Sequence, residues 1–434
     1  MFNHSKMEKE INPDEVKMKP FAFFIRRKWK KVFIILLFVL SYYANLEVNG
    51  QKQGITNNNI SFIQYPDFPE AHSTWGSIGY NAKYNKVYIG VTNHHNKVGF
   101  YEYNPALPEM KLIGFINDLG HLRPFQWQAK IHSKFVFGSD GNAYFTTDGG
   151  ESREEYLMDH PQGYVGGFFM KWDPVTSQMT NLGMAMSFES LKDIEIDPTT
   201  NILYAITYPQ AHFILYDPAK NDLRDLGRLA SSHVPRVLFT DWWGNCYYVD
   251  WRQRFVKYEI DKGFFVFAKN SLPAFEGTPG GKIITGITAF SKDEKNKIIY
   301  IITYGAKIIA FHPQKEGIGS VEDLGGVADT GDQPAWEPYV PNLNFGNNGK
   351  LYYIVGGHGN YIKKDTGVLI EFNPKTRTRK IIYEFPSDEL AEATGSDIKD
   401  KDGNLYFAGR RENKNTLNSQ PFMIKFNPEK EVQK

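Results

Sequence analysis

Short runs of apolar residues, alternating with polar ones or continuous, follow one another from about residue 60 to the end of the chain, a spacing typical of β-strands rather than helices. One type of run carries a tyrosine among apolar neighbours and recurs seven times. Its tyrosines are Tyr88, Tyr144, Tyr204, Tyr247, Tyr300, Tyr352 and Tyr406. Their separations range from 43 residues, between Tyr204 and Tyr247, to 60 residues, between Tyr144 and Tyr204. A period of this length indicates a repeat protein.

Each tyrosine run is followed by a second run that ends in an aromatic residue, a polar residue and usually proline. These endings are Tyr103-Asn-Pro, Trp172-Asp-Pro, Tyr216-Asp-Pro, Phe311-His-Pro, Phe372-Asn-Pro and Phe426-Asn-Pro. Proline cannot continue a central strand, so they mark strand ends. A Leu-Gly pair, which we expect on the outer strand, then recurs at Leu119-Gly120, Leu182-Gly183, Leu226-Gly227 and Leu324-Gly325. Another run precedes each tyrosine run, so every repeat contains four short strands.

Seven repeats of four short strands predict an all-β protein, a seven-bladed β-propeller with four antiparallel strands per blade. A β-sandwich does not repeat one strand motif seven times, and no alternation of strands with helices supports a parallel α/β sheet. We expect residues 51–434 to form this single propeller domain.

The first 50 residues follow a different pattern. Five basic residues between Arg26 and Lys31 precede the apolar run 32–40, which is shorter than the ~20 residues of a spanning helix. This order is typical of an export signal. We therefore expect residues 1–50 to be a polar lead and signal that is removed. The mature protein should then be periplasmic or secreted, without a stable membrane anchor.

Composition narrows the choice of partners. The chain has 50 Lys+Arg and 49 Asp+Glu, with a formal net charge of +1, so it has no basic field that would attract nucleic acid. The single cysteine, Cys246, excludes an intrachain disulfide and a thiolate zinc cluster, and is expected in the core. We expect a monomer that binds no nucleic acid.

The repeat also predicts where function lies. In a propeller blade the innermost strand begins, and the second strand ends, on the same face, so these positions surround one mouth of the central channel. The strand starts contribute Lys130, His132, Lys192, His233 and Arg236. The second-strand ends contribute Thr92, Asp148, Tyr208, Trp251, Tyr304, Gly356 and Arg410, with His94, His95, His212, Arg252 and His358 close by. The longest insertions, 149–167, 357–366 and 411–420, are expected to wall a cleft at this rim.

An isolated histidine at the rim is usually a solvated surface group. His132 is the strongest of these candidates because it is not isolated. Strand alternation places Lys130, His132 and Lys134 on one face. Two neighbouring cations disfavour the charged imidazole, which suits a neutral base near physiological pH. The sequence has no phosphate loop, no nucleophile elbow and no compact metal cluster. It requires no cofactor, although Ca²⁺ held by dispersed oxygen ligands stays open.

The seven-unit pattern behind an export signal, the Lys-Ile-His-Ser segment 130–133, the Tyr-Pro-x-x-His turn 208–212 and the His/Arg/Tyr rim together resemble the seven-bladed β-propeller polysaccharide lyases. Over residues 60–430 the chain is most similar to the rhamnose-α-1,4-glucuronate lyases, and next to the propeller ulvan lyases. Asp148 departs from the ulvan lyase pattern, which has a second histidine there. The resemblance implies a carbon-oxygen lyase that cleaves a rhamnose–glucuronate type linkage by β-elimination. The implied partner is an acidic polysaccharide or oligosaccharide containing uronic acid.

β-Elimination needs a cation that neutralises the uronate carboxylate, a base that removes the adjacent proton, and an acid that protonates the departing oxygen. The resemblance implies His132 as the base or shared acid/base, Tyr208 as the second proton-transfer group, and Arg236 with Lys130 as the carboxylate clamp. The implied substrate-binding residues are His212, His358, Arg252, Tyr304 and Arg410.

Two other functions remain open from the sequence. A propeller can present its loops to a glycan or a protein without catalysis. A metal-dependent lactonase or hydrolase of the regucalcin-like propeller group would need a cage of carboxylates and amides, which the rim rich in His, Arg and Lys fits poorly.

Overall fold

The computed structural model describes residues 59–94, 97–149, 163–229, 235–273, 286–304, 307–328, 340–356, 367–413, 415–416 and 418–430. The expected export signal lies outside the described residues, as do His95, His233 and His358. Gly54–Lys434 form one compact unit. None of the helices in the described ranges has the length and apolar character of a membrane span.

The described residues form 29 strands, which begin with β1 (Ile60–Ile63), and the predicted all-β propeller is confirmed. Strand pairing divides them into seven antiparallel sets, here called blades 1 to 7. Blade 1 contains β2 (Ile78–Asn81), β3 (Lys86–Thr92), β4 (Val98–Asn104) and β5 (Glu109–Phe115). Blade 2 contains β6 (Lys130–Ile131), β7 (Val136–Phe137), β8 (Ala143–Asp148), β9 (Phe168–Asp173) and β10 (Gln178–Met184). Blade 3 contains β11 (Ser190–Ile196), β12 (Leu203–Tyr208), β13 (His212–Asp217) and β14 (Asp222–Arg228), and blade 4 contains β15 (Phe239–Thr240), β16 (Cys246–Val249), β17 (Phe255–Glu259) and β18 (Phe264–Phe267). Blades 5 and 6 contain β19 (Ile287–Asp293), β20 (Ile298–Thr303), β21 (Lys307–Pro313) and β22 (Gly319–Gly326); and β23 (Asn342–Phe345), β24 (Leu351–Val355), β25 (Val368–Asn373) and β26 (Thr378–Glu384). Blade 7 contains β27 (Glu389–Ser396), β28 (Leu405–Asn413), β29 (Ser419–Phe426) and β1.

The two ends of the propeller meet in blade 7. β1 pairs antiparallel with β29, so a strand from the start of the domain is the outermost strand of the last blade. A short parallel contact between β23 and β27 also joins blades 6 and 7. A short helix, α1 (Ile116–Leu119), and a 3-10 turn, Pro124–Gln126, connect blades 1 and 2. The β1–β29 pairing therefore closes the ring without a covalent link.

The core lies between neighbouring blades. The described residues form one buried apolar cluster at each of the seven junctions between adjacent blades, including the junction of blade 7 with blade 1. At that junction Ile78 and Val87 pack with Tyr406 and Met423. Cys246 is buried at the junction of blades 3 and 4, as predicted for a core thiol. Because both faces of a blade are covered, its central strands are almost continuously apolar.

The Leu-Gly repeat is explained by β-bulges on the outer strands. Gly183, Gly227 and Gly325 have φ angles of 112°, 98° and 101°, a region that glycine adopts without steric cost. The strand pairing shifts register beside each of them, on β10, β14 and β22. The expectation for Leu119-Gly120 is wrong. β5 ends at Phe115 and Leu119 ends α1, so this pair closes a helix.

In three of the seven blades the repeated tyrosine binds the turn that precedes its strand. All seven register tyrosines are buried. In blades 2, 4 and 7 the hydroxyl donates to the aspartate of the preceding turn, at 3.2 Å for Tyr144 to Asp140 and 2.7 Å for Tyr406 to Asp400. The same aspartate accepts the backbone N–H of the asparagine before the strand. The motif thus fixes the turn to the strand in each of these blades.

We predict that Tyr406→Phe lowers the free energy of unfolding by about 1–3 kcal/mol, because it removes a donor from the buried Asp400 carboxylate. The matched control is Tyr103→Phe, whose buried hydroxyl has no hydrogen-bond partner among the described residues. That control should leave stability nearly unchanged. Chemical denaturation of both variants measures the difference, and equal losses would refute this role for the tyrosine.

Candidate functional site

A small cavity of about 60 Å³ lies where the innermost strands of the blades converge. Each blade contributes to its wall, through Gly76, His132, Asp193, Arg236, Thr288, Pro341 and Thr394 in order from blade 1 to blade 7. These residues lie on the innermost strands or in the segments that lead into them. The cavity is therefore the mouth of the central channel.

The predicted geometry of the rim is confirmed by strand register. Lys130, at the start of β6, is the cross-strand partner of Asp148, the last residue of β8. Ser190 and Tyr208 are partners in the same way in blade 3. Starts of inner strands and ends of second strands therefore share one face of the propeller, as the repeat required.

His132 immediately follows β6 and lines the cavity. Its Nδ1 lies 3.1 Å from the backbone oxygen of Lys192 in blade 3. A carbonyl oxygen only accepts, so Nδ1 carries the hydrogen and donates it. In the neutral ring the other nitrogen, Nε2, is then unprotonated and is the one that can accept a proton.

A buried carboxylate joins the lysines beside His132. Asp148 Oδ2 lies 2.8 Å from Lys192 Nζ and 3.9 Å from Lys130 Nζ. Its other oxygen, Oδ1, accepts a hydrogen bond from the Ser190 hydroxyl at 2.8 Å. Although burial opposes ionisation, the two ammonium groups hold the pKa of Asp148 well below its usual range. The carboxylate is therefore charged and fixes both lysines at the rim.

The same surroundings keep His132 neutral. Burial lowers the pKa of its imidazole well below the ordinary value, and the charges of Lys192, Lys130 and Arg236 lower it further. Asp148 opposes this shift. The direction agrees with the sequence prediction. Three cations and one carboxylate thus act on an uncharged base at neutral pH.

Lys134 differs from its neighbours on the same strand face. Its Nζ lies 2.6 Å from Asp193 Oδ2 and 3.2 Å from Glu195 Oε1, and it donates to the Leu238 backbone oxygen at 2.9 Å. Its charge is therefore compensated by two carboxylates between the cavity and the channel interior. The cationic character of the site comes from Lys130, Lys192 and Arg236.

Two tyrosines lie beside this group. Tyr208 is 42% exposed, and the Lys192 ammonium lies 4.4 Å from the centre of its ring. Tyr164 donates to Gln128 Oε1 at 2.9 Å, and burial together with the Asp148 charge raises the pKa of its phenol well above normal. Tyr208 is accessible to a substrate, whereas the Tyr164 hydroxyl is engaged by Gln128.

The other predicted residues are distributed around the rim. Arg236 is exposed on the cavity wall, but Tyr304 is buried. His212 Nδ1 lies 2.8 Å from Asp225 Oδ2 on the outer strand β14, which turns it toward the outside of blade 3. The Arg252 guanidinium packs on the Trp251 ring, with 4.7 Å between its carbon and the ring centre. Of the three expected insertions, 411–420 contributes its described ends to the β28–β29 hairpin, where Arg411 pairs with Gln420 and Glu412 pairs with Ser419. Most of the other two lies outside the described residues.

Arg410 forms an ion pair instead of presenting its charge to the cavity. Its Nε lies 3.0 Å from Glu392 Oε2, and its Nη1 lies 3.9 Å from Glu412 Oε2. Its guanidinium carbon lies 5.2 Å from the centre of the Trp75 ring. Trp75 lines the cavity and was not among the sequence candidates. It stands three residues before the first inner strand, as Arg236 does in blade 4, so the same rule applied to blade 1 would have found it.

No group of three or more His, Cys, Asp or Glu side chains in the described ranges is arranged to hold a metal ion. The polar atoms at the cavity belong largely to cations and hydroxyl groups.

No protein-family model and no curated protein matches the sequence. The structure is similar to the extracellular domain of BT3049 from B. thetaiotaomicron, described as a hybrid two-component system, with a TM-score of 0.51 and 12% identity over 86% of this chain and 41% of that one. It is also similar to the WD40 repeats of RRP9, with a TM-score of 0.50 and 8% identity over 86% of this chain and 99% of that one. The chain thus spans less than half of the BT3049 domain. At these identities the likeness shows the propeller fold alone.

We predict that Lys192→Met raises the pKa of His132 toward its ordinary value, because the variant removes the strongest of the charges that disfavour the imidazolium. Nuclear magnetic resonance titration of the His132 ring measures this shift. Lys350→Met is the matched control, since Lys350 pairs with Glu371 in blade 6. An unchanged His132 pKa in Lys192→Met, or an equal rise in the control, would contradict the electrostatic account.

Proposed function

We propose that this chain is an exported lyase that cleaves a 4-linked uronate in an acidic glycan by β-elimination. The observation that supports the proposal most is His132, a neutral imidazole at the channel mouth whose Nε2 is the unprotonated nitrogen, among three cations. A neutral base and a cationic surrounding are the two requirements of this chemistry.

The cations supply the carboxylate-binding part of the site. The proton on the carbon next to a uronate carboxylate is weakly acidic until the carboxylate charge is neutralised. Arg236 lies on the cavity wall beside His132, and a guanidinium pairs well with a planar carboxylate. Lys130 adds positive charge, while Lys192 is held mainly by Asp148. We assign Arg236 as the principal clamp and Lys130 as its support.

The proton transfers then balance within the site. His132 Nε2 accepts the proton from the carbon next to the carboxylate, and the electron pair of that bond forms a carbon–carbon double bond. The bond from the adjacent carbon to the glycosidic oxygen breaks, and the departing oxygen takes a proton from the Tyr208 hydroxyl. Tyr208 is exposed and lies over the Lys192 ammonium, whose positive charge stabilises the phenolate that remains.

We predict that the wild-type protein forms an unsaturated uronate from at least one member of a panel of uronic-acid glycans, including rhamnose-capped arabinogalactan and ulvan. His132→Ala should lower this rate about 10²–10⁴-fold, as expected for loss of a positioned base. Its melting temperature should fall only slightly, because the variant loses the single hydrogen bond from Nδ1 to the Lys192 backbone oxygen. The measurement is the ultraviolet absorbance of the product, with and without a chelator and with added Ca²⁺.

His312→Ala provides the matched control for that experiment, since His312 lies on β21 and does not line the cavity. The control should keep full activity. Wild-type activity in well-folded His132→Ala would remove His132 from the reaction. Binding without any product would favour a glycan-binding propeller instead.

We predict that Arg236→Ala weakens binding of an acidic oligosaccharide and reduces the salt dependence of binding, because the variant removes a cation from the cavity wall. Arg377→Ala removes the same charge from the exposed ion pair with Glu322 and should change neither quantity. Calorimetric titration at two salt concentrations measures both. Unchanged affinity in Arg236→Ala would require another carboxylate clamp.

A further inference from the structure

The indole ring of Trp75 forms part of the wall of the same cavity as His132. The two residues are close because Gly76 lets their backbones approach. A Cβ atom built on Gly76 would lie 2.8 Å from the His132 backbone oxygen, and Gly76 has a φ angle of 82°. The Gly76 N–H also donates to Thr394 Oγ1 of blade 7 at 3.1 Å. Trp75 is thus held at the junction of blades 1, 2 and 7, next to the proposed base.

The edge of the indole is fixed by a histidine. Trp75 Nε1 donates to His94 Nε2, and the two rings are only 19° from parallel with centres 5.6 Å apart. A direct N–H···N bond between nearly parallel rings at this separation places them side by side, so His94 contacts the edge of the indole and not its faces. His72 packs against His94, with ring centres 4.6 Å apart. Burial, with the nearby Arg410 charge, lowers the pKa of His72 to about 4. His72 is therefore uncharged at neutral pH, and its packing against His94 does not place a second cation beside Arg410.

One face of the indole is held by Arg410, which Glu392 fixes in turn by an ion pair. Because its charge is compensated, Arg410 acts here as a positioning residue for Trp75 and not as a clamp for substrate carboxylate. The indole also contributes surface to the cavity wall. The ring therefore presents a fixed, uncharged and aromatic surface beside a cationic one.

We propose that Trp75 is a sugar-stacking wall, which binds the apolar face of the neutral pyranose ring linked to the uronate. This inference rests on the proposed function for the identity of the ligand and names the part of the site that recognises the neighbouring sugar. An aromatic ring whose orientation is already fixed binds the C–H face of a sugar at little cost in conformational freedom. Arg236 would hold the uronate, and Trp75 would hold its neutral neighbour.

The test measures equilibrium binding in the His132→Ala background, where the ligand is not consumed, so it does not depend on turnover. The probes are a disaccharide of a neutral sugar linked to O4 of glucuronate, and glucuronate alone. Trp75→Leu should weaken disaccharide binding about tenfold, the effect of losing a well-packed aromatic contact. Glucuronate binding should stay within twofold. Trp75→Phe, which keeps an aromatic face, should retain most of the disaccharide affinity.

Trp243→Leu is the matched control, because Trp243 is also partly exposed but lies in the turn between β15 and β16, at the opposite end of the inner strand. It should bind both probes like the parent. The parent protein supplies a second measurement, since the indole N–H resonance of Trp75, assigned with Trp75→Phe, should shift on addition of the disaccharide and not of glucuronate. Unchanged disaccharide affinity in folded Trp75→Leu, or an unmoved indole resonance in a parent that binds the disaccharide, would overturn the proposal. A parent that binds the disaccharide through Trp75 while the wild type forms no product would instead refute the lyase assignment alone.

Discussion

The pairing of β1 with β29 closes the ring of blades, and the site depends on that closure. Seven apolar junctions can all be filled only if the last blade packs on the first. Closure brings Thr394 of blade 7 against Gly76 of blade 1, although 318 residues separate them. It also places one wall residue from each blade around a single cavity. The candidate site is therefore a property of the closed ring and belongs to no single repeat.

Charge in this confined space is organised in two layers. At the mouth, Asp148 fixes Lys192 and Lys130 but leaves the surroundings of His132 with an excess of positive charge. Further in, Asp193 and Glu195 compensate Lys134. An incoming carboxylate would thus encounter its cations at the mouth, next to an uncharged imidazole. The proposed elimination relies on this arrangement, in which the neutral base lies beside an excess of positive charge and the compensated Lys134 lies further in.

Much of the fold could be predicted because the same short sequence motifs recur in each blade. The register tyrosines, the prolines at strand ends and three Leu-Gly bulges each reflect a backbone requirement inside one blade. The face shared by Lys130 and Asp148 followed from strand direction alone. Side-chain partners could not be predicted in this way. Arg410 pairs with Glu392 on the neighbouring strand, and His212 pairs with Asp225 on the outer strand. The two-residue period of a strand predicts which face a side chain lies on, but not which partner it contacts. Trp75 gains its place beside His132 from the packing of blade 1 against blade 2, a contact that local spacing does not contain.

In the proposed reaction, His132 removes a proton from carbon and no water enters the bond that breaks. Digestion of a susceptible glycan, followed by mass spectrometry of the fragments, tests this directly. β-Elimination predicts a fragment with an unsaturated terminal uronate, one water lighter than a hydrolysis product. A saturated terminal uronate, one water heavier, would identify a hydrolase and contradict the proposed reaction.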